Sequence, residues 1–140
     1  MFVNYGRKHI PEVNFYYKAL DCKDKGINCI LMSGSITYVD EPYKYLSDLL
    51  SIKAKYFIVD RTYFNFEVKD RITLEYVPET IYKAVYPIHL LNINEFAKMM
   101  DKHYKQIFYM PQTIDRTPFV ERYTAKITPC HGWFLVDKNT

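Results

Sequence analysis

Two short polar runs each follow an apolar stretch, and they hold the side chains best suited to chemistry. Ser33, Gly34 and Ser35 follow the run 27–32, from Ile27 through Met32; Asp60, Arg61 and Thr62 follow the run 56–59. A carboxylate at the end of an apolar strand can act as a general base or hold a ligand hydroxyl. Asp60 can equally cap a loop or pair with Arg61 beside it. His89, between Ile88 and Leu90, has the residue type that titrates near neutral pH and so can serve as a base. The competing reading is a partly buried histidine bonded to backbone. Cys130 and His131 have no further ligand at metal spacing, which argues against a zinc site. Nothing in the sequence pairs a cysteine with a histidine as nucleophile and base. Neither a GxGxxG fingerprint nor a Walker A loop is present.

The elements around these residues follow from apolar spacing. Pro11 in a first turn, with Val13, Tyr16, Tyr17 and Leu20 at helical intervals, predicts a helix over 12–23, stopped by Gly26. The continuous apolar run 27–33 predicts a buried parallel strand. Asp40 as N-cap and Pro42 in the first turn open a helix whose apolar face is Tyr43, Leu46, Leu49 and Leu50. A second apolar strand spans 55–60. Strand, helix and strand in that order predict parallel pairing. Open α/β sheets bind ligands at the carboxyl ends of such strands, which here carry the two polar runs. Alternation at Ile72, Leu74 and Tyr76 predicts a short strand. Residues 82–91 show no period and read as irregular. Asn92 with Glu95 resembles a capping box for a helix over 93–104. Strands at 106–110 and 132–137, with a loop over 111–131 between them, predict a terminal antiparallel pair.

The 140 residues suit one domain over 1–140, with 49% hydrophobic and 25% charged residues as in ordinary globular proteins. A net charge of +3 without long like-charge runs argues against nucleic acid as partner. Three cysteines without a CxxC are read as reduced thiols. No secretory signal and no span-length apolar stretch is evident, so the expected location is cytoplasmic, with no membrane partner. The 14 tyrosines and 9 phenylalanines either stack on a flat ligand or pack the core.

Three stretches resemble a known family. They are Tyr-Phe-Ile-Val-Asp-Arg-Thr-Tyr-Phe (56–64), Asp-Arg-Ile-Thr (70–73) and Val-Pro-Glu-Thr-Ile-Tyr-Lys-Ala-Val-Tyr-Pro (77–87). Together they resemble the C-terminal half of bacterial S-adenosylmethionine-dependent methyltransferases associated with surface-polysaccharide gene clusters. Residues 30–38 resemble that family's strand and turn, and residues 2–17 the stretch before it. Tyr63 stands where the family has Pro, Thr37 where it has Gln, and Ile88 where it has Cys. The resemblance implies an α/β, Rossmann-like half-domain holding the fourth to seventh strands as one contiguous slab. The glycine-rich cofactor loop would lie before Met1, so the isolated chain is expected to be inactive or to depend on a partner.

In that frame Ser33, Gly34 and Ser35 would line the S-adenosylmethionine side. Asp60, Arg61, Thr62, Tyr86 and His89 would line the substrate side, with Asp60 or His89 as base and a small molecule or saccharide as substrate. The fourth strand would be left as a raw edge at 27–32. An apolar edge invites pairing, so a homodimer or a complementary chain is expected there. Two other functions fit the residues: a non-catalytic interaction module, and a sugar- or nucleotide-binding module at the strand ends.

Overall fold

The computed structural model describes residues 2–66, 69–111 and 131–140, with only the backbone of Pro111 and His131. The elements in chain order are α1 (Phe2–His9), β1 (Cys29–Ser33), α2 (Pro42–Leu50), β2 (Tyr56–Thr62), β3 (Phe64–Asn65), β4 (Arg71–Val77), β5 (Ala84–Asn92), α3 (Ile93–Asp101), β6 (Tyr104–Pro111) and β7 (His131–Asp137). Short 3-10 turns occupy Ala19–Cys22 and Ser35–Tyr38. The fold is mixed α/β.

Four strands form one sheet in the order β1-β2-β7-β6, and three form another in the order β3-β5-β4. β1 and β2 are parallel, as expected for strands joined through a helix. β7 runs antiparallel to both β2 and β6, so the expected terminal antiparallel pair is present. One face of the four-stranded sheet carries Ile30, Met32, Phe57, Val59, Trp133 and Leu135, all buried. These join Leu46 and Leu49 of α2 and Phe96 and Met100 of α3 in a core that also takes Phe64 and Leu91 from the second sheet. Phe64, Phe96 and Trp133 form an aromatic trio with ring centroids 4.9 to 5.4 Å apart.

The helix expected over 12–23 is absent. The helix lies earlier, at Phe2–His9, and Pro11 follows its end. Proline disfavours helical backbone in the residue before it, so Ile10 closes α1 instead of opening a new helix. Gly6 lets the chain fold back, because a Cβ there would lie 2.6 Å from the Phe15 ring. Arg7 Nε donates to Phe15 O at 2.9 Å and holds the return.

Residues 84–91 are not irregular. They form most of β5, which pairs with β4 along its length. Pro87 hid this strand. β5 meets β3 only at Leu91 and Asn92, so the earlier residues leave one side open, where a missing N–H costs no ladder bond.

α2 begins at Pro42, but its N-cap is Glu41, not Asp40, and no side chain caps it. The cap of α3 is as expected: Asn92 Oδ1 accepts from the Glu95 N–H at 2.9 Å. That helix ends at Asp101 because Tyr104 already belongs to β6. β1 is parallel but not buried on both faces. Leu31 is 65% exposed, since β1 is a sheet edge and its outward face carries the row Leu31, Ile58, Phe134. Among the described residues no helix is long and apolar enough to cross a membrane.

Candidate functional site

Register sets the site. Parallel pairing puts Ser33 beside Asp60 at the carboxyl ends of β1 and β2. Both chains then turn through left-handed backbone, with φ of 63° at Gly34 and 45° at Arg61. The Gly34 N–H donates to Asp60 O at 2.8 Å and ties the turns together. Thr37 Oγ1 donates to Gly34 O at 2.9 Å and closes the 3-10 turn. Arg61 falls where the β2–β7 register shifts, between Val59 and Thr62. A bulge of this kind re-aims a side chain, and here it lifts Arg61 out of the ladder. A non-glycine residue at positive φ stores strain, which is concentrated at sites that bind ligands.

The polar groups interlock. Ser33 Oγ donates to Asp60 Oδ2 at 3.0 Å, and Arg61 Nε donates to Ser33 Oγ at 3.1 Å. Arg61 Nε also lies 3.4 Å from Asp60 Oδ2. The arginine side chain is 63% exposed, so the ion pair adds little stability and serves mainly to orient the guanidinium.

Opposite this triad stand residues of the second sheet. Tyr38 donates its hydroxyl to Glu75 Oε2 at 2.9 Å. Glu75 pairs with Tyr86 across β4 and β5. The Tyr38 and Tyr86 rings meet edge to face, with centroids 5.7 Å apart and planes at 70°. Burial, then the bond to Glu75, pushes the Tyr38 phenol well above the ordinary tyrosine range. A hydrogen bond with Tyr82, then burial and Glu75, pushes Tyr86 up to about 12. Both phenols therefore keep their protons at neutral pH. A cavity of about 420 Å³ is lined by Ser33, Gly34, Ser35, Tyr38, Arg61, Tyr63 and Glu75. Tyr38 also walls a second cleft, of about 430 Å³, with Tyr86 and Pro87.

The site thus brings together Ser33, Gly34, Ser35, Asp60 and Arg61, with Tyr86 joined through Tyr38. Thr62 is fully buried, and its hydroxyl donates to Asp60 O at 3.0 Å, so it shapes the turn from below. His89 pairs with Ile72, and strand alternation puts it on the opposite face of β5 from Tyr86. It lines neither cavity.

Tyr38, Tyr63 and Glu75 are missed by sequence reasoning. Glu75 carries a faint signal, as a polar residue in the alternating run 72–77. Which face of that run meets β1 depends on where the second sheet lies.

Asp70 has a different role. Its Oδ1 accepts from the Asn92 N–H at 2.6 Å and from the Tyr43 hydroxyl at 2.8 Å. It clamps the start of β4 to α2 and to the head of α3. Among the described residues no group of three or more His, Cys, Asp and Glu side chains could hold a metal ion. Cys130 and the His131 side chain lie outside the described residues, while Cys22 and Cys29 are free thiols.

S-adenosylmethionine needs partners for a base, a ribose diol, a sulfonium and an amino acid head. Ser33, Gly34 and Ser35 offer such a molecule one short polar wall, and Tyr38, Arg61, Tyr63 and Glu75 line the rest of the cavity. No family model, no curated protein and no solved structure matches the chain.

Proposed function

We propose that the chain is the acceptor-side half of an S-adenosylmethionine-dependent methyltransferase-type domain. One observation carries this reading. Strands β1, β2, β7 and β6 form one sheet with β1 at its edge, and the polar cluster sits where the parallel pair β1–β2 ends. The resemblance in 56–64, 70–73 and 77–87 implies an edge strand of this kind, and strand ends are where open α/β sheets bind ligands.

The cofactor, when bound, would supply the methyl group. Ser33, Gly34 and Ser35 would line it. The chain's own work is positioning and proton handling. Arg61, held by Ser33 and Asp60, orients the acceptor. An Asp60 carboxylate oxygen takes the proton of an acceptor hydroxyl, and His89 is too poorly placed to share that task. The rest of the cofactor cradle would come from a second copy or a complementary chain paired at the exposed edge of β1. An edge strand with no charge and no proline in Cys29–Ser33 has nothing to block such pairing.

Calorimetric titration with S-adenosylhomocysteine tests this, at protein concentrations below and above any self-association. Saturable binding at sub-millimolar affinity supports the reading. No binding at millimolar ligand in either regime overturns a cradle completed by a second copy and leaves only a complementary chain to supply it. A second reading, a ligand-binding module without group transfer, is favoured by the aromatic cleft of Tyr38, Tyr86 and Pro87. Ligand binding there without cofactor binding would select it.

A further inference from the structure

We propose that the outward face of the β4–β5 ribbon is a docking surface for a second copy of the chain. This surface is distinct from the β1 edge and from the polar cluster, and the inference does not rest on the methyltransferase reading.

Register builds the face. Ile72 pairs with His89, Leu74 with Pro87 and Tyr76 with Val85, so these six side chains lie in two adjoining rows on one side of the ribbon. The other side faces the body of the protein. There Glu75 accepts from the Tyr38 hydroxyl, and the Tyr86 ring meets the Tyr38 ring.

The pattern along β4 is inverted. An antiparallel ribbon with one solvated face ordinarily turns its polar residues to water. Here Thr73 and Glu75 are on the inner side and half-buried, while Ile72, Leu74 and Tyr76 are on the outer side and 67%, 54% and 71% exposed. Across the ladder Val85 and Pro87 are exposed and His89 is half-buried. Alternation thus sets apolar side chains where the single chain gives them nothing to touch. Burial against a partner accounts for that choice.

Two features select a copy of the same chain as that partner. The six residues include no carboxylate, ammonium or guanidinium group, and their only polar side-chain groups are the His89 imidazole and the Tyr76 hydroxyl. A two-fold contact lays a patch against itself, so a patch without such groups meets its copy without like-charge repulsion. The area is also sufficient. At these exposures the six side chains leave on the order of 600 Å² open to solvent, the upper end of what an ordinary monomer shows. Two such faces would bury about 1,200 Å² together, above the roughly 1,000 Å² that a specific contact needs.

The test separates this face from the β1 edge. Leu31→Lys is the reference protein, because an edge lysine opposes pairing at β1. Its sedimentation equilibrium is followed from about 1 to 300 µM, a span that covers a weak contact. A reversible monomer–dimer equilibrium is expected, with a Kd of about 10–100 µM for an interface at the small end of the specific range. Leu74→Glu added to Leu31→Lys should weaken the dimer about tenfold or more, since it brings unpaired carboxylates into the closed contact. Ile72→Lys added instead should do the same, and it replaces Leu74→Glu if that change alters folding. Leu31, Leu74 and Ile72 are all exposed in the single chain, so circular dichroism of each variant should match wild type.

A Leu31→Lys protein that stays monomeric over the whole range overturns the proposal. So does a dimer that Leu74→Glu and Ile72→Lys both leave intact. Flotation of the Leu31→Lys protein with phosphatidylcholine vesicles, lost on adding Leu74→Glu, would give the face to a lipid surface instead and overturn it too. Each outcome is read with the β1 edge blocked, so the S-adenosylmethionine reading stands or falls separately.

Discussion

Gly34 and Arg61 take left-handed backbone side by side, and a Cβ on Gly34 would lie 3.2 Å from Arg61 O. The two turns are thus built around each other. Gly34→Ala meets both a left-handed φ and that carbonyl, so it should destabilise the protein by about 1–2 kcal/mol. Urea unfolding of the variant checks this, and a midpoint equal to wild type would show that the turn relaxes freely.

Tyr104 anchors the end of β6 from inside the core. Its hydroxyl donates to Ala54 O at 2.7 Å, and its ring meets Phe57 edge to face at 5.6 Å. Tyr104→Phe keeps the ring and strands the buried carbonyl, at a cost of roughly 1–3 kcal/mol. Chemical denaturation should show the loss with little change in slope.

The same hydroxyl makes stability sensitive to alkali. Burial, followed by the nearby Asp137 and Cys29, pushes Tyr104 up to about 12. Tyr38 and Tyr43 are raised as well, each by burial first and then by a carboxylate bonded to its hydroxyl. An unfolded tyrosine releases its proton near pH 10, so above that pH the unfolded chain binds fewer protons than the folded one. The contribution is fully present below about pH 10 and is lost as pH rises through about 12. Denaturant midpoints across that window should fall, and the fall should be shallower in Tyr104→Phe.

Phe96 packs against both Phe64 and Trp133, and its side chain is fully buried. Phe96→Ala removes one ring of the trio and should cost about 3–5 kcal/mol. Trp133 is the single tryptophan of the chain, so its fluorescence reports the change directly.

The edge of β1 is testable by charge. Leu31 is 65% exposed on a strand with an unpaired side. If that edge joins a second copy, Leu31→Lys should shift the sedimentation of the purified chain toward the monomer, since an edge lysine opposes strand pairing. Identical sedimentation of wild type and variant would remove β1 as the contact.

Much of the scaffold was legible because local signals there agree with tertiary context. The runs ending at Ser33 and Asp60 are apolar, continuous and of strand length, and an amphipathic segment joins them, so a parallel pair follows. Asn92 and Glu95 announce α3 by a cap needing only neighbouring residues. The sequence predicts a loop between the terminal strands, which leaves antiparallel pairing as the simple solution. Signals failed where one residue had two meanings. Pro11 suits a first helical turn and also the residue after a helix, and the fold-back of Phe15 onto Gly6 decided between them. Pro87 suits a loop and also a half-open strand, and the short reach of β3 decided that.

The site divides the same way. Sequence alone determined that Ser33, Gly34, Ser35, Asp60 and Arg61 belong at strand ends, because strand length and burial are local properties of apolar runs. Only the tertiary structure decided what faces them. Glu75 reaches Tyr38 across 37 residues, and Tyr86 comes beside it through pairing with β4. Both contacts depend on how two sheets share one core, and that packing is set by long-range burial that no local spacing encodes.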